Sequence, residues 1–138
     1  MAPPLGIRNN NPGNIRPSTP PWNGAVGANG GFVVFDTMEN GIRALAKQLM
    51  VYQDRYGIKT VRKAISRWAP GNENNTESYI AFVCGVLGCG PDDEFDFHDP
   101  SFLFWMVTAI GEEENGHDAF SKYVSDADID AGVAAALG

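Results

Sequence analysis

A chain of 138 residues, 43% apolar and carrying eight Phe, four Tyr and three Trp, has the length and composition of one folded domain, 1–138, which excludes a disordered chain and a protein with two cores. A net charge of −7 and a pI near 4.6, with ten Lys and Arg thinly scattered, exclude the basic stripe that nucleic-acid binding needs and work against electrostatic capture on an anionic wall. No apolar run approaches the roughly 20 residues of a membrane span, and MAPPLGIR lacks the apolar core of a signal peptide, so synthesis in a cytoplasm is expected, with export only by a dedicated machine.

Residues 1–30 are rich in Pro, Gly and Asn (PP, NPG, RPSTPP, NGAVGANGG) and predict ordered loops or short turns. Within them, Gly6 to Pro17 reads GIRNNNPGNIRP, with no acid, His, Ser or Cys, which suits binding and turning better than proton transfer. GFVVF, 31–35, is a short strand by its β-branched and aromatic content. Asp36 or Thr37 caps a helix with Ile42, Leu45, Leu49, Tyr52 and Tyr56 inward, and Gly57 stops it. Thr60 caps a short helix with Val61, Ala64, Ile65 and Trp68 inward. After a polar GNENN loop, Thr76 starts a helix whose apolar face is Tyr79, Ile80, Val83, Val86 and Leu87. PDDEFDFHD reads as a solvated connection. Asp99-Pro100 starts SFLFWMVTAIGEE, apolar nearly all round and therefore the central buried helix. Ser125 opens a last helix through Ile129, Val133 and Leu137. The class is mainly α (α+β), about five to six helices with one small strand or hairpin.

Chemistry concentrates in IGEEENG, 110–116, where the apolar helix ends in three glutamates. The negative end of the helix dipole and apolar surroundings both raise a carboxyl's pKa, as a general acid requires. Glu114, directly before Asn-Gly, is the chosen acid; Glu112 and Glu113 are expected to be exposed. Glu39 also precedes Asn-Gly, but in the first turn of its helix, where the dipole favours the charged form. A second cluster, RWAPGNENNTESYIAFV, brings together Arg67, Trp68, Glu73, Asn74, Thr76 and Tyr79, aromatic faces for stacking on sugars and polar groups for their hydroxyls and amides. Trp68 and Tyr79 serve equally as core anchors, and Thr76 as a cap. Trp22, in a Pro-rich loop, is harder to explain as core. His98 and His117 read as surface residues, Cys84 and Cys89 as buried reduced thiols, and neither a metal nor a cofactor is expected.

The succession NNNPGNIR, W-x-G, GFVVFDTMENGIRALAKQLMVYQDRYG, RWAPGNENNT-x-x-Y and an apolar helix ending in ENG resembles, over nearly the whole chain, a family of phage virion and endolysin-like proteins on the lysozyme and lytic-transglycosylase branch. NNNPGNIR with W-x-G is similar to the NN-x-FGI-K and W-x-G segment of bacterial glucosaminidases, and NENNTESYIAFV to the P-x-E-T-x-x-Y-V helix of lytic transglycosylases. In those enzymes the catalytic glutamate precedes the NN-x-FGI segment, whereas here five residues precede Gly6 and none is acidic. Either the acid is lost, or the order is circularly permuted and FLFWMVTAIGEEENG supplies it last; permutation is preferred.

The resemblance implies a lysozyme-like domain that cleaves peptidoglycan between N-acetylmuramic acid and N-acetylglucosamine. Glu114 would be the acid, with Glu73 as second carboxylate in a hydrolytic version. Asn10, Asn11, Asn14, Arg16, Trp22, Arg67, Trp68, Asn74, Thr76 and Tyr79 would line the sugar groove. Its partners would be glycan strands, together with virion components or an immunity protein, and nothing demands more than a monomer. The site of action would be the periplasm or wall, reached from the cytoplasm or carried in a virion. The alternative is a non-catalytic virion or wall-binding protein, or an exported antibacterial domain.

Overall fold

The computed structural model describes residues 2–71 and 73–138, apart from the side chains of Glu73 and Asn74. The Pro- and Gly-rich first quarter forms one turn of helix, α1 (Leu5–Arg8), and an antiparallel hairpin of β1 (Ala25–Asn29) and β2 (Phe32–Phe35). The expectation of strand at 31–35 matches β2, whose alternate residues Val33 and Phe35 are buried. β1 falls where loop was expected. It is exposed along nearly its whole length, so no alternating apolar signal marks it, and it forms by pairing Asn29 with Phe32 and Ala28 with Val33. Gly30 and Gly31, at φ 64° and 85°, make the two-residue turn that only such backbone allows.

Capping chemistry sets the long helices. The Thr37 hydroxyl accepts from the Asn40 amide at 3.1 Å to start α2 (Met38–Tyr56), which Gly57 ends at φ 64°. Thr60 caps α3 (Val61–Trp68) through the Lys63 amide. α4 (Glu73–Leu87) begins before Thr76, whose hydroxyl donates back to the Ala69 carbonyl at 2.7 Å, so Thr76 is not its cap. Asp99 accepts from the Ser101 amide at the start of α5 (Pro100–Asn115). α6 (His117–Tyr123) was not foreseen; it is short, with Phe120 its one buried residue. Ser125 and Asp128 form a reciprocal capping box on α7 (Asp126–Leu137). The fold is thus mainly helical with a small antiparallel hairpin, the short α1 and α6 taking the described residues beyond the expected helix number.

α5 is the central element, touching α1, α2, α4, α6 and α7. Phe102, Leu103, Met106, Val107, Ala109 and Ile110 are its buried apolar side chains, while Trp105 remains 47% exposed, so its apolar girdle is not closed. Among the inward residues expected in α2, Tyr56 is the exception, exposed beside the terminal glycine. The acidic connection between α4 and α5 is solvated only at its acids: Phe95 and Phe97 turn inward, each ring centroid 4.7 Å from that of Phe102. A smaller apolar cluster of Ile15, Val33, Phe35 and Ala44 lies beneath the hairpin, and Trp68 bridges it to the main core.

Two glycines on α2 and α4 differ in what surrounds them. A Cβ on Gly41 would run into the Asn10 carbonyl, because the asparagine-rich loop lies directly on α2; a Cβ on Gly85 would meet nothing. Gly41→Ala is therefore expected to destabilise by about 1–3 kcal/mol or more, and Gly85→Ala to stabilise by about 0.5–1 kcal/mol through helix propensity, as read from chemical denaturation of each variant.

Candidate functional site

The NNNPGN loop is built around Asn11, which is 0% exposed. Its Nδ2 donates to the Ile15 and Val33 carbonyls, both at 2.9 Å, and its Oδ1 accepts from the Ile15 amide at 2.9 Å. Asn10 donates to the Phe35 carbonyl at 3.1 Å. Both were expected to bind sugar; instead their side chains tie the loop to the hairpin, and neither lines a cavity described below. Asn10 and Asn14 adopt φ 52°, left-handed backbone that asparagine tolerates better than most residues.

Asn14 has a different role. Its Nδ2 donates to Glu114 Oε1 at 3.0 Å, across 100 positions of sequence, and the Tyr79 hydroxyl donates to Glu114 Oε2 at 3.0 Å. Asn115 secures the junction, donating to the Pro12 carbonyl at 2.8 Å and to the Gly111 carbonyl at 2.9 Å. Burial, and next the Glu114 charge and hydrogen bond, push the Tyr79 phenol far above its ordinary pKa. Tyr79 therefore keeps its proton and acts as a donor.

Glu114 lies where two cavities meet. One, about 500 Å³, has walls from Asn14, Arg16, Trp22, Phe32, Tyr52 and Trp68. The other, about 580 Å³, is lined by Ala69, Asn75, Thr76, Tyr79 and Glu113. The expected residues Asn14, Arg16, Trp22, Trp68, Thr76 and Tyr79 thus gather around Glu114. Arg67 opens onto a neighbouring cavity, and the side chains of Glu73 and Asn74 lie outside the described residues. Gln48, Tyr52 and Phe32 were not foreseen; the helical spacing of Tyr52 marked it as core, and it is both buried and at the cavity wall.

The other acids at the end of α5 differ from expectation in one respect. Glu112 is not exposed: its side chain is 14% accessible, and its Oε2 lies 2.8 Å from His117 Nδ1. Glu113 is exposed, yet desolvation and then the Glu114 charge push its carboxyl above the ordinary range. Among the described residues, no group of three His, Cys, Asp or Glu could hold a metal ion, and no helix is long and apolar enough to cross a membrane.

Fold and site together define a small, mainly helical domain with a carboxylate seated between two cavities. Protein P5 of Pseudoalteromonas phage PM2 is 34% identical to it over 121 residues, a span of 84% of this chain and 74% of that protein, and the chain belongs to this phage protein family. No protein-family model matches it.

Two outcomes follow from the site. Asn11→Ala leaves two carbonyls and an amide without their buried partner and is expected to cost about 3 kcal/mol or more, whereas Asn14→Ala, which removes one contact at the cavity wall, costs about 1 kcal/mol; urea unfolding of both variants compares them. The His117 imidazole, hydrogen-bonded to Glu112, is raised above its ordinary 6.5. The stabilising contribution of this pair is complete below that ordinary value and fades as pH rises through the raised one. An NMR titration should find His117 above 6.5 and Glu112→Gln should bring it back.

Proposed function

We propose that the chain is a peptidoglycan-cleaving muramidase that acts on the bond between N-acetylmuramic acid and N-acetylglucosamine with Glu114 as its acid. The observation that carries this reading is the Glu114 carboxyl itself, held by Asn14 and Tyr79 at the junction of two cavities flanked by Trp22 and Trp68. Aromatic faces stack on sugar rings, and membership of a phage protein family gives wall cleavage a biological setting, from the wall side or carried in a virion. The meeting of the NNNPGN loop with the ENG helix end also favours a lysozyme-like arrangement with permuted order, since a carboxylate that follows the loop by 100 positions is set directly against it.

In this mechanism Glu114, protonated, donates to the glycosidic oxygen as the bond to the muramoyl anomeric carbon breaks. Asn14 and Tyr79 restrict the carboxyl to one orientation, and the stacked rings hold the sugar near the oxocarbenium-like geometry. The muramoyl C6 hydroxyl then attacks the anomeric carbon and returns its proton to the Glu114 carboxylate, leaving a 1,6-anhydro product. This single-acid route needs no second carboxylate, and is preferred over hydrolysis.

Clearing of purified peptidoglycan by wild type should fall by about 10²–10⁴-fold in Glu114→Gln, and much less in Glu113→Gln. The released muropeptides should be lighter by one water than hydrolytic products. Equal clearing by Glu114→Gln removes the acid assignment. Sedimentation of both proteins with peptidoglycan, with no clearing by either, establishes the binding-only alternative.

A further inference from the structure

A third cavity, about 910 Å³, adjoins the tryptophan-lined one, sharing Gln48 and Tyr52 with it. In a chain of net charge −7, three of the ten basic residues, Arg62, Lys63 and Arg67, line it, and no acid does. Arg62 is committed elsewhere, its Nε donating to Asp92 at 2.9 Å and its Nη1 lying 3.5 Å from Glu77. Lys63 and Arg67 have no ion pair among the described residues.

Arg67 is held in a particular way. Its guanidinium carbon lies 3.7 Å from the Tyr56 ring centroid and 5.7 Å from that of Tyr52. Stacking engages the face of the guanidinium and leaves its in-plane N–H groups free, the fork that a carboxylate accepts bidentately. This also accounts for Tyr56, which is exposed at the end of α2 and is of no use to the core.

We infer that this cavity binds a carboxylate of a short acidic peptide branching from the glycan, an inference that rests on the groove being a peptidoglycan site. The hydroxyls and acetamides of a glycan are neutral and call for no cation, whereas Lys63 and Arg67 suit an anion. The shared Tyr52 wall sets them beside the strand's path and apart from Glu114, where a side branch rather than the next sugar would reach. The cavity therefore selects strands whose peptide carboxylates are free over strands in which they are amidated.

The test uses the Glu114→Gln protein and calorimetric titration with a disaccharide carrying an acidic peptide, beside the same compound with its peptide carboxylates amidated. Amidation should weaken binding by about tenfold, the value of one charge-assisted contact. In Glu114→Gln/Arg67→Gln that ratio should fall to near one, and in Glu114→Gln/Arg67→Lys it should be intermediate, because the charge remains without the fork. Both compounds binding equally in the Glu114→Gln protein, or a ratio unmoved by Arg67→Gln and Lys63→Gln, overturns this inference alone. Binding of neither compound, with no clearing by wild type, overturns the groove reading and this one together.

Discussion

The buried amide of Asn11 determines the path of the loop on which the site is built. With Nδ2 and Oδ1 both satisfied by backbone, it closes residues 11–15 into a ring and fastens that ring to β2. Burying an amide costs free energy unless it is hydrogen-bonded, and these backbone partners offset that cost for Asn11. The left-handed backbone at Asn10 and Asn14 completes the turn. From the other side, Asn115 grips the Pro12 carbonyl, while Gly6 leaves room for the Asn115 and Asn14 amides. Asn14 thus meets Glu114 from a loop that Asn10, Asn11 and Asn115 each fasten by a hydrogen bond to backbone.

The end of α5 shows how the chain accommodates acids where a helix disfavours them. Glu112, Glu113 and Glu114 stand in its last turns, facing the negative end of the dipole. Glu112 has His117, and Glu114 has Asn14 and Tyr79. Glu113 has no such partner among the described residues, and desolvation with the neighbouring Glu114 charge pushes its carboxyl above the ordinary range. Each carboxyl thus differs in what holds it, although the sequence writes them identically.

Much of this was legible in the sequence, for physical reasons that can be named. Thr37, Thr60, Asp99 and Ser125 act locally on amides two or three residues away, so the helix starts they set can be read from short windows. The candidate acid and its aromatic neighbours were legible because an apolar helix ending in acids is an uncommon local pattern. What could not be read was long-range. β1 exists only because β2 pairs with it, and Phe97 is buried only because Phe102 waits across a connection. Asn10, Asn11 and Asn14 are one residue type within one motif, and composition could not separate the two that hold the loop from the one that faces the cavity. Only the direction of each side chain, fixed by backbone several residues or a hundred residues away, tells them apart.

The placement of charge along the three cavities follows from the same economy. Basic residues are few, and two of the three around the outer cavity have no ion pair among the described residues. The hydrogen-bond donors to Glu114, by contrast, are both neutral, an amide and a phenol. Arg67 lines the outer cavity and not the inner one, while Arg16, the guanidinium that does share a cavity with Glu114, lies 4.7 Å from the Phe32 ring centroid. Tyr52 lines both cavities, and the Arg67 guanidinium carbon, 5.7 Å from its ring centroid, belongs to the outer one alone.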